Sequence, residues 1–164
     1  MQKTTVLLAD DNLLLRNGLR ALLEQELDID VIGEAKNGQQ AVRMAKRLHP
    51  EIVIMDIEMP SMNSWEATRK IHQQSPECRV LILSSYGREQ YVRQVCETGA
   101  CGYVIKETAS VDLVMAIREA KLGNTYFSPG ICRSLLERNR GLNDRPPVEL
   151  KSSKIGGAGA AWYN

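Results

Sequence analysis

Five polar residues far apart in the chain, Asp10, Asp11, Asp56, Ser84 and Lys106, each fall at the end of a short apolar run. Parallel α/β sheets bring such strand ends to one edge, and ligands bind there. Gathered at that edge, three carboxylates, a hydroxyl and an ammonium suit a divalent cation and a phosphoryl group. Asp10 and Asp11 facing Asp56 would repel one another if left bare, and a hard cation resolves the conflict. Mg²⁺ prefers an octahedral oxygen shell, keeps several waters, and is commonly held by one or two carboxylates plus phosphate oxygens. Glu58, two residues past Asp56, can add its backbone carbonyl.

A carboxylate can itself attack phosphorus and form an aspartyl phosphate. Asp56 is the candidate. During transfer, negative charge spreads over three equatorial oxygens, so positive groups are needed on several sides. The cation serves one oxygen, the Lys106 ammonium a second and the Ser84 hydroxyl a third, which makes the catalysis mainly alignment and electrostatics. Each residue taken singly has a plainer reading. A strand-end Asp caps the next helix, Ser84 sits in a turn, and Lys106 is a solvated lysine beside Glu107. Their joint placement at the ends of four strands carries the argument.

The elements that must position them follow from the apolar pattern. Runs at Val6–Ala9, Val31–Ala35, Ile52–Met55, Val80–Leu83 and Gly102–Ile105 are short and several are β-branched, as buried parallel strands are. Between them lie helical periodicities, such as Leu15, Leu19, Leu22 and Leu23, or Leu113, Val114, Ile117 and Ala120. The stretch after strand three is less regular, but Asn63 with Glu66 three residues on reads as a capping box. Asn37-Gly38, His49-Pro50 and Ser75-Pro76 fall between elements as turns. Strict alternation of strand and helix predicts a three-layer α/β domain over 1–123. A short extra helix, opened by Ser128-Pro129, and the start of a linker are expected over 124–140. Residues 141–164, with Pro146-Pro147 and Gly156-Gly157-Ala158-Gly159, read as a flexible linker or an added tail.

The 164 residues and 18.3 kDa allow one domain of ordinary size. A net charge of +1, with acids and bases interspersed, provides no basic field to hold DNA without another module. The four cysteines lack a CxxC pair and read as reduced thiols. The N-terminus lacks a signal-peptide run and no window approaches a membrane span, which predicts a cytoplasmic protein with no membrane contact.

The runs Val6-Leu7-Leu8-Ala9-Asp10-Asp11, Val53-Ile54-Met55-Asp56-Ile57-Glu58-Met59-Pro60, Leu83-Ser84-Ser85 and Gly102-Tyr103-Val104-Ile105-Lys106 closely resemble the response-regulator receiver domain, over about residues 4 to 122. That resemblance implies a doubly wound five-stranded parallel sheet of flavodoxin-like order 2-1-3-4-5, with helices on both faces. It implies phosphorylation of Asp56 by a sensor histidine kinase. Asp11 and Asp56 would be direct Mg²⁺ ligands with the Glu58 carbonyl, and Asp10 would assist from behind. Lys106 would pair with the phosphoryl group, and Ser84 and Tyr103 would move together as the switch. Glu58 and Tyr86 would flank the pocket mouth.

Gly99 to Ser110 and Tyr126-Phe127-Ser128-Pro129 look like the NarL/FixJ-type subgroup, whose members carry a LuxR-type helix-turn-helix output after a linker. This implies a transcription regulator whose DNA-binding half is missing here, and a homodimer through helix one or helix five. Two departures stand out. Ser64 replaces the usual loop glycine, and serine tolerates positive φ poorly, so a shifted loop is expected. Glu107 follows Lys106 where many receivers have proline, which removes the usual basis for a cis peptide. Two other classes remain open. One is an aspartyl-phosphate phosphatase of the haloacid-dehalogenase kind, although Asp10-Asp11-Asn12 lacks its DxD pattern. The other is a receiver-like interaction module that never takes phosphate.

Overall fold

The computed structural model describes residues 2–59, 62–85 and 89–131, without the side chains of 89–92 and 96. Strands β1 (Thr4–Ala9), β2 (Ile29–Ala35), β3 (Ile52–Asp56), β4 (Arg79–Ser84) and β5 (Gly102–Ile105) alternate with helices α1 (Leu13–Glu24), α2 (Gly38–Leu48), α3 (Ser64–Gln74), α4 (Glu89–Thr98) and α5 (Ala109–Lys121). A two-residue strand β6 (Tyr126–Phe127) follows α5. All pairings are parallel, in the order β2-β1-β3-β4-β5-β6. The five expected strands thus hold the expected order, and a sixth extends it.

Both faces of the sheet are covered, which explains why the strands are apolar almost throughout. On one face Val6, Leu8, Ile52, Ile54, Leu81, Leu83 and Val104 pack with Leu19 and Leu23 of α1 and Leu113, Ala116 and Ile117 of α5. On the other, Leu7, Val53, Met55, Ile82 and Tyr103 pack with Ala41 and Ala45 of α2, Ala67 and Ile71 of α3, and Val95 of α4. Alternate residues of one strand therefore serve opposite layers.

Side chains at the helix starts fix where the chain turns. Asn12 caps α1 by accepting from Leu15 N–H, and Asn37 caps α2 by accepting from Gln40 N–H. At α3, Asn63 is the cap but accepts from Trp65 N–H, while Glu66 pairs instead with Lys70 at 3.5 Å. The reciprocal half of the expected capping box is replaced by an exposed ion pair. His49, at φ 50, ends α2 in the left-handed region just before Pro50.

Residues 124–131 depart from the expected domain end at Gly123. They return to the sheet as β6 against β5 and begin a helical turn at Pro129. Residues 132–164, and with them the rest of the expected extra helix, the tail and Cys132, lie outside the described residues. Cys78 and Cys101 are buried free thiols, each pushed up to about 12 by burial. Among the described residues, no helix is long and apolar enough to cross a membrane, and no peptide bond is cis.

Candidate functional site

Between β1 and β3 the chain's connections diverge to opposite sides of the sheet, leaving a crevice at the strand ends. Asp10 follows the last residue of β1, Asp56 is the last of β3, and Lys106 opens the 3-10 turn after β5. Carboxylate oxygens of Asp10, Asp11 and Asp56 lie within 4.8 Å of one another. Asp10 and Asp56 are buried and Asp11 is exposed, so the group opens to solvent on the Asp11 side. The Lys106 ammonium lies 3.1 Å from Asp56 Oδ1, 3.9 Å from Asp10 Oδ2 and 3.8 Å from Glu58 Oε2.

Backbone groups organise the acids further. Asp10 Oδ1 accepts from Asn12 N–H at 2.8 Å, and Asp56 Oδ1 accepts from Glu58 N–H at 3.0 Å. Each carboxylate thereby turns one oxygen to its own loop. The other oxygens, Asp10 Oδ2 and Asp56 Oδ2, are buried and accept no hydrogen bond from the described residues. Such orphaned anionic oxygens are costly unless a cation or a proton meets them.

The electrostatics agree. Burial, then the neighbouring Asp56 charge, pushes the Asp10 carboxyl up to about 6, against the pull of Asn12 N–H and Lys106. Burial works against the Lys106 charge, yet Asp56, followed by Asp10 and Glu58, carries the ammonium above its ordinary value. Among the described residues, one ammonium faces four carboxylates, an excess of negative charge. The donor set, all oxygen with two oxygens unsatisfied, fits a hard divalent cation.

Ser84 is the last residue of β4, buried, and opposite Ile105 in the register, one position beyond the Leu83–Asp56 pair. Tyr103 is fully buried on β5 opposite Ile82. Ser84 and Tyr103 therefore share the sheet face that packs on α2, α3 and α4. Asp10, Asp11, Asp56, Glu58 and Lys106 are brought together, with Ser84 at an adjacent strand end. Tyr86 lies outside the described residues.

Two supporting contacts, made by Arg16 and by Ser64, escaped the sequence reading. Arg16, 5 % exposed on α1, donates through Nη1 to the Asp10 carbonyl at 2.6 Å and through Nε to Glu34 Oε1 at 2.8 Å. Arg20 holds the other Glu34 oxygen at 2.7 Å. Although burial opposes it, these two guanidinium groups keep the Glu34 carboxyl below its usual range. The end of β1 is thus clamped to α1 and β2 behind the acids. The other is made by Ser64, in the first turn of α3 and fully buried, whose hydroxyl donates to the Asp56 carbonyl at 2.5 Å. Its φ is not positive, so the residue meets no strain from lacking glycine's freedom. Helical spacing could have flagged Arg16 as a charge on the buried side of α1, three residues before Leu19. Nothing local announces Ser64's bond.

The fold and site define a class: a doubly wound α/β domain with an acid-and-lysine pocket at its strand ends. The family model described as the response regulator receiver domain matches residues 6–118, and the chain belongs to that family. It is 34% identical over 154 residues to the transcriptional regulatory protein DegU of Brevibacillus brevis, covering 94% of this chain and 64% of that protein. It is 33% identical over 152 residues to the nitrate/nitrite response regulator protein NarL of Escherichia coli K12, covering 91% and 70%. The chain spans about two thirds of the length of these relatives. Among solved structures, a LuxR-family two-component response regulator from Aurantimonas superposes with a TM-score of 0.81 at 32% identity, covering 84% of this chain and 99% of that one.

Proposed function

We propose that Asp56 is the phosphoacceptor of a two-component switch and takes its phosphoryl group from a histidine kinase in the presence of Mg²⁺. The observation that carries this reading is the pairing of two orphaned carboxylate oxygens, on Asp10 and Asp56, with a lysine 3.1 Å from Asp56. Asp11, Asp56 and the Glu58 backbone carbonyl would hold the cation, with Asp10 holding its water. Bound there, Mg²⁺ supplies positive charge to one phosphoryl oxygen.

The protein's own groups do the rest. An Asp56 carboxylate oxygen attacks phosphorus, the bond from phosphorus to the donor's imidazole nitrogen breaks, and an acyl phosphate forms. Lys106 neutralises a second equatorial oxygen and the Ser84 hydroxyl donates to a third. Ser84 and Tyr103, on one sheet face, then shift together as a two-state element. Glu58, half-exposed beside Lys106, and Tyr86 act at the pocket mouth on the rate at which water removes the group. The phosphoacceptor chemistry is the only catalysis we assign. The described helices leave Leu13 and Leu14 of α1, and Val111 and Met115 of α5, exposed, which supports homodimerisation through these helices. The names of relatives such as the transcriptional regulatory protein DegU support a regulator of transcription. We read its DNA contact as made through a helix-turn-helix domain outside this chain, and its place as the cytoplasm. We read 1–123 as the receiver domain, with β6 (Tyr126–Phe127) added at its sheet edge, a short extra helix or linker start within 124–140, and a linker or tail over 141–164.

Incubation with Mg²⁺ and acetyl phosphate, followed by intact mass measurement, tests the assignment. One phosphoryl group should be gained, and Asp56→Asn should gain none. Steady turnover of a small phosphate ester would instead indicate a phosphatase.

A further inference from the structure

The residues after α5 are fastened to the sheet more firmly than a connector needs. Tyr126 N–H donates to the Cys101 carbonyl at 3.3 Å and Ser128 N–H to the Tyr103 carbonyl at 3.0 Å, so the segment runs along the outer edge of β5. It can approach because residue 102 is glycine, where a Cβ would lie 2.3 Å from the Tyr126 carbonyl oxygen. The Tyr126 hydroxyl donates to Asp112 Oδ1 at 3.0 Å, and the Thr108 hydroxyl donates to Oδ2 at 2.6 Å. These bonds tie the strand to α5. Further on, Ile131 is fully buried in the cluster that holds Tyr103, with Phe127 packed against it.

One contact links this segment to the pocket. Ile105 N–H donates to Ser128 Oγ at 2.9 Å, and Ser128 is buried. Ile105 immediately precedes Lys106, whose ammonium lies 3.1 Å from Asp56. A single peptide unit therefore separates a pocket side chain from a hydrogen bond to the segment that leads into the rest of the chain.

We propose that the β5 edge is a docking surface for the chain's own 126–131 segment, and that docking there is coupled to the Asp56–Lys106 pocket, so that anionic charge added at Asp56 tightens the segment onto the sheet. This rests on the phosphoacceptor reading above. A phosphoryl group on Asp56 gives the Lys106 ammonium more anionic oxygen to hold. The backbone at Ile105 is then restrained, and its N–H stays in line with Ser128 Oγ. Such coupling is reciprocal, since a segment favoured by the filled pocket must favour the filled pocket by the same factor.

Amide hydrogen exchange of the whole chain, with and without Mg²⁺ and acetyl phosphate, tests the proposal while intact mass reports the phosphoryl group. Protection over 126–131 should rise about fivefold or more on phosphorylation. Ser128→Ala should still take the phosphoryl group and lose that rise. Equal exchange in phosphorylated and unphosphorylated wild type overturns the coupling and leaves the pocket chemistry standing. If no phosphoryl group is gained, the phosphoacceptor reading fails, and Lys106→Met without donor decides the coupling alone. Faster exchange over 126–131 in that variant supports it, and unchanged exchange overturns it.

Discussion

Asp10→Asn is expected to stabilise the protein in EDTA and to do so far less in Mg²⁺. Burial and then Asp56 raise the Asp10 carboxyl from its ordinary 3.8 to about 6, so the folded state holds that proton more tightly than the unfolded state does. Below pH 3.8 both states are protonated and Asp10 contributes no penalty. As the pH rises toward about 6 the folded state must ionise a buried carboxyl at a cost the unfolded chain does not meet, and stability falls. At about 1.4 kcal/mol per pH unit, the penalty reaches about 3 kcal/mol above that range. Asparagine removes the charge and keeps an oxygen to accept from Asn12 N–H, a bond of 2.8 Å in the wild type. Urea unfolding at about pH 7.5 in EDTA should therefore show a gain of about 2–3 kcal/mol, shrinking at about pH 4. Saturating Mg²⁺ should reduce the gain, because a cation bound to the folded state stabilises the wild type by mass action. No gain at neutral pH, or the same gain with and without Mg²⁺, would refute the claim that Asp10 is held in electrostatic conflict that a cation relieves.

Other perturbations follow from the supporting residues. Arg16→Ala strips the Asp10 carbonyl and one Glu34 oxygen of their donor, and should cost about 3 kcal/mol in urea unfolding; Arg16→Lys, keeping the charge, should cost less. A Ser64→Ala chain loses the buried bond to the Asp56 carbonyl and should be less stable by about 1–3 kcal/mol; an unchanged midpoint would mean the carbonyl finds another donor. Replacing Glu58 and Tyr86 together by alanine should lengthen the lifetime of the phosphorylated form severalfold, read by intact mass over time, and an unaltered lifetime would discard their role at the pocket mouth.

The strands and the acid-and-lysine pocket were legible because burial on both faces writes itself as short apolar runs, and each pocket residue ends one. Thr4–Ala9 and Arg79–Ser84 extend the apolar runs only by polar or half-buried residues at their ends. The strand order came from family resemblance, since alternation alone does not rank neighbours. What stayed hidden depends on three-dimensional approach. Arg16 reads as one of many surface arginines until α1 folds it under the Asp10 carbonyl. Ser64 reads as a misplaced loop residue until α3 brings its hydroxyl back to Asp56, eight residues earlier. Strand β6 is two residues long, too short for a period, and the residue that admits it, Gly102, lies on another strand.

Phosphoryl uptake as a function of Mg²⁺ tests the central claim most directly. With acetyl phosphate, the wild-type chain should gain a single, hydroxylamine-labile phosphoryl group that appears with added Mg²⁺, vanishes in EDTA and is absent from Asp56→Asn. Equal labelling in EDTA, or a group that persists in Asp56→Asn, would contradict the capture of phosphorus by Asp56 beside a cation.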